Sequence, residues 1–163
     1  MPDEHLRPSA RALLVDPDGC ILLAEFVLPH MRLWATPGGG IEPGETSRGA
    51  LQRELVEEVG LVLTHDPPLV WRRTVVVEGI VEGYDGVLED FYLLPVDRFD
   101  PRGELTDEQL RAENVVSFRW WSVAEIREAT ETKAGYFSPR YLGDLLDDLL
   151  RGGPPAATIE LGL

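Results

Sequence analysis

Gly39–Leu61 reads GGIEPGETSRGALQRELVEEVGL, and this stretch joins a loop to a helix. The loop is predicted over residues 34–44, which hold four glycines and two prolines, residues that interrupt regular structure. From Ser47 to Val59 apolar side chains recur every four positions, as they do on the buried face of a helix. Thr46 or Ser47 is the expected N-cap, and Gly60 stands where a glycine commonly ends a helix.

Three glutamates share one face of this predicted helix. Glu54, Glu57 and Glu58 are spaced i, i+3 and i+4, so they fall within an arc of roughly 100°. Such carboxylates repel one another, and a hard divalent cation such as Mg²⁺ reverses that repulsion because it takes oxygen ligands. The alternative is an ordinary solvated helix face, since the chain carries 29 acidic residues. Spacing alone leaves both interpretations open.

The glycine loop and the glutamates together resemble the signature of the Nudix hydrolase family. That signature runs Gly, five residues, Glu, seven residues, then Arg-Glu-apolar-any-Glu-Glu-any-Gly-apolar. All nine specified positions are matched, with Gly39 and Glu45 at the start, Arg53 opening the helical part and Leu61 at the end. The lead-in Trp34–Gly38 (WATPG) and the later Arg119–Ser122 (RWWS) are similar to the family as well.

The resemblance implies both a fold and an activity. The expected fold class is α/β (α+β), a sandwich of helices around a mixed β-sheet, with the signature as a loop–helix–loop at the active site. Members of the family hydrolyse a nucleoside diphosphate linked to another group X. The chain is therefore expected to be a metal-dependent pyrophosphohydrolase that uses Mg²⁺ or Mn²⁺.

The resemblance also assigns metal ligands and a general base. Glu54, Glu57 and Glu58 are expected to hold the metal ions, with the backbone carbonyl of Gly38 as a further ligand. Metal ions neutralise phosphate oxygens and lower the pKa of a bound water, and a carboxylate can take its proton. Glu54 is the first candidate for that base. Glu113 is the best candidate outside the signature for a further ligand or base, with an exposed loop acid as the alternative.

Supporting roles follow from the same resemblance. Glu45 and Arg53 are expected to pair and to fix the loop against the helix. Gly39 and Gly60 are expected to supply backbone freedom at the two ends of the motif.

Composition limits the other possibilities. A chain of 163 residues fits one domain, predicted over residues 1–151 with a linker-like C-terminal tail at 152–163. A formal net charge of −14 argues against nucleic acid or an anionic membrane as partner. Cys20 is the single cysteine, and no apolar run approaches a membrane span, so a cytoplasmic protein is expected. Homodimers are frequent among members of the family, and a homodimer is an open expectation.

The remaining elements are predicted from periodicity and turn residues. Strands are expected at 11–15 and 20–26 around the turn Asp16–Gly19, then at 69–78, 88–96 and 118–122. Helices are expected at 123–130 and 139–151.

Several residues outside the signature are open candidates for substrate contact. Base stacking is possible for the aromatic residues Phe26, Trp34, Tyr84 and Phe91, whereas Trp120 and Trp121 are expected mainly to pack in the core. Phosphate contact is possible for Arg11, Arg72 and Arg73, although solvated strand arginines are the favoured interpretation.

The substrate itself stays open at this level. Markers that follow the signature in ADP-ribose and dinucleoside polyphosphate hydrolases would fall at Val76 and Glu78, and neither is present. Small nucleoside triphosphates and nucleotide sugars are left. A sensing domain that binds a nucleotide without cleaving it is the main alternative, and the complete set of glutamates argues against it. A decapping-type enzyme fits the negative charge poorly.

Overall fold

The computed structural model describes residues 4–162. Over these residues the chain forms nine strands and four helices. In chain order they are β1 (Leu6–Val15), β2 (Ile21–Val27), β3 (Arg32–Ala35), β4 (Gly38–Gly40), α1 (Ser47–Glu58), β5 (Leu69–Val76), β6 (Gly86–Pro95), α2 (Asp107–Ala112), β7 (Val115–Trp121), α3 (Val123–Glu131), β8 (Phe137–Ser138), α4 (Leu142–Gly152) and β9 (Ile159–Leu161).

The strands form one mixed sheet with β1 near its centre. The main strand order is β8-β3-β2-β1-β6-β5-β9, while β4 pairs with β1 and β7 pairs with β2. β1 and β6 are parallel over their whole length, from Leu6 opposite Gly86 to Val15 opposite Pro95. On its other side β1 is antiparallel to β4, with Arg11 opposite Gly38. This pairing brings the glycines of the signature against the central strand.

Helices cover both faces of the sheet. One apolar cluster packs the sheet against α3 and α4, through Ile126, Leu142 and Leu146. The other packs the opposite face against α1, through Leu51 and Leu55. The predicted α/β/α sandwich with a mixed sheet is thus confirmed, because side chains that alternate along β1 feed both clusters.

The predicted hairpin turn between β1 and β2 is present, and a buried carboxylate organises it. The Asp16 side chain, 1% exposed, accepts the backbone N–H groups of Asp18 and Cys20, each at 2.9 Å. Its second oxygen accepts from Arg98 Nε at 2.8 Å. Gly19 lies at φ +80°, the left-handed region that glycine adopts without strain.

The predicted elements differ from the structure in several places. The strands β1, β6 and β7 begin two to five residues earlier than predicted, and β8 was not predicted. The loop over 34–44 contains the end of β3 and all of β4, because pairing with β1 makes a strand of three glycines. Helix α2 was not predicted, and α4 begins at Leu142 rather than at Pro139, after Tyr141 at φ +63°. The segment after residue 152 is not entirely linker-like, since β9 pairs in parallel with β5.

None of the helices within residues 4–162 combines the length and apolar composition that crossing a membrane requires.

Replacing Asp16 with alanine is expected to destabilise the fold by about 2–4 kcal/mol. The change leaves two buried N–H groups without an acceptor and removes the partner of Arg98. Urea denaturation followed by circular dichroism measures this loss. Asp18→Ala in the same turn is the matched control, because Asp18 is exposed, and it should change stability by less than about 0.5 kcal/mol. Equal effects from the two variants would contradict the assigned role.

The stabilisation by Asp16 should depend on pH in one direction. Burial raises the pKa of Asp16, but the hydrogen bonds from Cys20, Arg98 and Asp18 outweigh it, so the pKa lies below the ordinary 3.8. A lowered pKa gives stability above pH 3.8 that is lost as the pH falls further. The difference in unfolding free energy between the parent chain and Asp16→Asn should therefore be constant from pH 5 to 8 and shrink below about pH 3.8.

Candidate active site

The glycine strand β4 brings the loop of the signature close to both β1 and α1. Gly38 has φ +138°, and a Cβ there would clash with the carbonyl oxygen of Ala10. A Cβ on Gly39 would clash with the carboxylate of Glu54. Gly38 therefore requires glycine. Gly39 is not among the glycines with positive φ, so the backbone freedom expected there from the family resemblance was wrong, and a Cβ at Gly39 would require the Glu54 side chain to shift.

Arg53 joins the loop to the helix. Its Nε and Nη2 donate to the two carboxylate oxygens of Glu45 at 2.8 and 3.0 Å, and Nη2 also donates to the Gly40 carbonyl at 3.1 Å. Nη1 donates to Glu54 Oε1 at 2.9 Å and lies 3.6 Å from Glu57 Oε2. The hydrogen bond from Arg53 and one from the Glu42 N–H lower the pKa of Glu45 to about 2.

The three glutamates differ in environment although they share one helix face. Glu58 is almost fully buried, while the side chains of Glu54 and Glu57 are 12% and 30% exposed. Burial, and then hydrogen bonding and repulsion from Glu54, raise the pKa of Glu58 well above its ordinary value. Burial followed by repulsion from Glu54 raises the pKa of Glu57 as well. The helix thus concentrates negative charge that the protein itself neutralises only in part.

The far end of α1 is held by a loop that the sequence did not reveal. The N–H groups of Arg102, Glu104 and Leu105 donate to the carbonyls of Val59, Val56 and Glu57, which have no partner within the helix. Gly60 has φ +76°, and a Cβ there would clash with the carbonyl of Arg102. Gly60 therefore serves both the helix end and this close contact.

Glu113 lies at the C-terminal end of α2, in electrostatic reach of the signature helix. Although the residue as a whole is exposed, partial desolvation raises the pKa of its carboxyl, and repulsion from Glu54 and Glu57 raises it further. Glu113 therefore lies close enough to interact with the same group of carboxylates. The sequence had left its role open between a further ligand or base and an exposed loop acid.

The carboxylate oxygens of these glutamates are ligands of the type that binds a divalent cation. Glu58 Oε2 is buried and accepts no hydrogen bond from residues 4–162, which is costly for a carboxylate oxygen. Mg²⁺ and Mn²⁺ favour such oxygen ligands. Within the same residues, no three His, Cys, Asp or Glu side chains stand as a ready-made metal centre, and Glu54 contacts Arg53 instead. Arg53 contacts only Oε1 of Glu54 among the described residues, which leaves Oε2 as the oxygen that an ion could use.

A cavity of about 160 Å³ lies between β1, β3 and β6, beside the glycine strand. Its wall is apolar at Phe26, Leu28 and Leu33 and charged at three residues, of which two arginines each pair with one glutamate, namely Arg11, Arg73 and Glu89. We call these three the charged triad. Arg11 Nη1 donates to the carbonyl of Gly38 at 3.2 Å, which connects the cavity to the signature loop.

The aromatic residues that were candidates for base stacking lie in different environments. Phe26 and Phe91 line the cavity, whereas Trp34 packs edge-on against Trp121 and Tyr84 stacks on His5. Trp121 is buried in the cluster under α3 and α4, and Trp120 packs on the opposite face, with its Nε1 donating to the Phe99 carbonyl at 3.1 Å.

The arginines that were candidates for phosphate contact also lie in different environments. Arg11 and Arg73 line the cavity, whereas Arg72 pairs with Asp90. The preference for solvated strand arginines is therefore wrong for Arg11 and Arg73, whose side chains are only 22% and 12% exposed. Glu89 was not singled out from sequence. The sequence holds one indication of its role. Glu89 is an acidic residue on the strand face that otherwise carries the apolar residues Phe91 and Leu93.

Comparison with known proteins finds a family model and relatives that match this chain. The model of the NUDIX domain family matches residues 5–141. Nucleoside triphosphatase NudI from Salmonella newport (strain SL254) is 36% identical over 88 residues, which cover 50% of this chain and 61% of that relative. The alignment thus spans less than two thirds of the curated relative.

Solved structures show the same fold. The solution structure of the E. coli ORF135 protein superposes with a TM-score of 0.64 at 24% identity, covering 96% of this chain and 99% of that one. The NUDIX hydrolase from Nitrosomonas europaea superposes with a TM-score of 0.64 at 22% identity, covering 91% and 90%. The chain belongs to the Nudix hydrolase family.

Replacing Arg53 with lysine is expected to destabilise the protein by about 1–3 kcal/mol although the charge is kept. Lysine cannot make the paired hydrogen bonds to Glu45 while also reaching the Gly40 carbonyl. Thermal unfolding measures the loss. Arg48→Lys on the same helix is the matched control, because the Arg48 side chain is 49% exposed and pairs only with exposed Asp66. A loss no larger than that of the control would show that the charge of Arg53 alone matters.

Proposed function

We propose that this protein hydrolyses a phosphoanhydride bond of a small nucleotide with the help of Mg²⁺ or Mn²⁺. The proposal takes in nucleoside diphosphates linked to a further group, including nucleoside triphosphates and nucleotide sugars. The observation that carries it is the buried Glu58 oxygen without a partner, beside two further glutamates on one helix face and a glycine strand. The relative NudI is a nucleoside triphosphatase, which supports the same substrate class.

The proposed roles follow the positions of the side chains. Glu54, Glu57 and Glu58, with the backbone carbonyl of Gly38, would hold the metal, and Glu113 would serve as a further ligand or a base. When bound, the metal would neutralise phosphate oxygens and acidify a coordinated water. Glu54 is the proposed base.

The supporting residues position the loop and the proposed base. Arg53 and Glu45 hold the loop so that the Gly38 carbonyl stays beside the helix. Arg53 also donates to Glu54, and this hydrogen bond orients the proposed base. Gly39 and Gly60 permit the two close approaches that the arrangement requires.

Three expectations accompany this proposal. The protein acts without a nucleic-acid or membrane partner, it resides in the cytoplasm, and it forms a homodimer. The negative net charge of −14 supports the first of them. Size-exclusion chromatography with light scattering tests the last, and a mass near 18.2 kDa would overturn it.

Glu57→Gln and Glu58→Gln are each expected to lower turnover at least about 100-fold. Each change removes one negative charge and one ligand oxygen of the kind that Mg²⁺ prefers, while the shape of the side chain is kept. Product release from a mixed panel of nucleotides with Mg²⁺, read by mass spectrometry, measures the effect. Glu128→Gln on α3 is the control, because this exposed glutamate lies on a different helix and should leave turnover unchanged.

Two results would contradict the proposal. Undiminished turnover in either variant with an intact fold would remove the glutamates from the chemistry. Tight nucleotide binding by the parent chain, with no product from any nucleotide in Mg²⁺ or Mn²⁺, would identify a binding domain instead.

A further inference from the structure

The charged triad presents a carboxylate oxygen to the cavity beside the glycine strand. Arg73 Nε and Nη2 both donate to Glu89 Oε2, at 3.0 and 2.5 Å, and Nη2 also donates to Ser138 Oγ at 2.8 Å. Glu89 Oε1 accepts no hydrogen bond from the described residues, and Arg11 Nε lies 3.8 Å from it, beyond hydrogen-bond distance. One oxygen of Glu89 is therefore anchored, and the other is left to accept a ligand.

The burial of this cluster is costly for stability alone. The Glu89 and Arg73 side chains are 10% and 12% exposed, and a buried ion pair commonly stabilises a fold no better than apolar residues of similar volume. The apolar side chains on the same cavity wall show that an apolar lining is compatible with this position. The ion pair is thus better explained by recognition of a ligand than by folding.

The shape and chemistry of the cavity fit a planar heterocycle. Phe26 and Leu33 give apolar walls, and Phe91, buried beneath the guanidinium of Arg73, closes the cavity on the core side. At the charged end a carboxylate lies beside guanidinium groups, so an acceptor stands next to donors. An edge that carries an amino group next to a ring nitrogen, as in cytosine and adenine, is complementary to that pair.

The location also fits the proposed reaction. Arg11 belongs to the cavity wall and also donates to the Gly38 carbonyl, the backbone atom proposed as a metal ligand. A ring in the cavity would thus have its phosphates near the signature helix, with Arg11 between the two parts of the ligand.

We propose that Glu89 is a specificity-determining residue that accepts a hydrogen bond from the exocyclic amino group of the substrate's nucleobase. This inference rests on the proposed function, since it concerns the substrate of the same site. Arg73 and Ser138 act as positioning residues that hold Glu89 in place. Bases with a carbonyl group at the equivalent position, such as uracil and hypoxanthine, bring an acceptor against the carboxylate and are disfavoured.

The test compares matched pairs of substrates that differ in this one group. Values of kcat/KM are measured for CTP against UTP and for ATP against ITP, so that ring size cancels within each pair. The parent chain should favour the amino-bearing member about tenfold or more in at least one pair, as expected for a hydrogen bond to a charged acceptor. Glu89→Gln should bring that ratio close to one, since the amide can also donate.

Two further variants keep the test decisive. Glu89→Asp keeps the charge and the partner for Arg73 but moves the free oxygen away from the ligand, so it should also lower the ratio. It replaces Glu89→Gln in the test if that variant fails to fold. Asp90→Asn is the matched control, because Asp90 pairs with Arg72 at the adjacent register on the other face of the same two strands. It should leave the ratio unchanged.

Binding without turnover separates this inference from the proposed function. Cytidine and uridine, or adenosine and inosine, are titrated without metal and followed by NMR shifts of the Phe26 and Phe91 rings. A preference for the amino-bearing nucleoside that Glu89→Gln abolishes would support the inference even if no nucleotide were hydrolysed. Equal binding within both pairs, a preference for the carbonyl-bearing members, or a ratio unchanged in both Glu89 variants would overturn it.

Discussion

The guanidinium of Arg53 is the interaction on which the site depends most. It is one planar cation that contacts a carboxylate of the loop, a carbonyl of the glycine strand and a glutamate of its own helix. Arginine suits this position because its five N–H donors lie in one fixed plane, so a single side chain can define the relative position of three groups. The loop and the helix are thereby placed as one unit against the central strand.

Close backbone approach is the second constraint, and glycine meets it. The glycine strand packs so near to β1 and α1 that a single methyl group at Gly38 or Gly39 would meet a backbone oxygen or a carboxylate. The same reasoning applies at the other end of the helix, where Gly60 faces the carbonyl of Arg102. The charge of the helix is thus positioned by steric limits at both ends and by one cation between them.

Sequence reasoning succeeded where local chemistry determines the structure. The helix α1 and an N-cap at Thr46 or Ser47 follow from local spacing, and the structure has the cap at Thr46. The pair of Arg53 with Glu45 is what the family resemblance implied, and it is present. Sequence reasoning was wrong where distant strands determine the structure. Three glycines carry no strand pattern, and only their pairing with β1 makes them β4. The strand β9 likewise depends on β5, some ninety residues earlier in the chain.

Glu89 was missed, and Arg11 and Arg73 were interpreted mainly as solvated strand arginines, for a related reason. A glutamate or arginine within a strand normally indicates a solvated face, and the sequence does not show which strand faces are covered. In the structure β1, β5 and β6 each contribute one residue, Arg11, Arg73 and Glu89, to a single buried cluster. Two cations and one anion make this cluster locally positive in a chain of net charge −14.

That local charge bears directly on how a nucleotide can approach the protein. An anionic ligand is repelled by the chain as a whole, and the glutamates of α1 add to the repulsion. Arg11 of the positive cluster contacts the carbonyl of Gly38, in the glycine strand that also packs against Glu54 of α1. Under the proposed function, the arginines of this cluster would attract the phosphates of a nucleotide. The phosphates would approach the glutamates only once divalent cations compensate the negative charge, so the base and the metal would bind together.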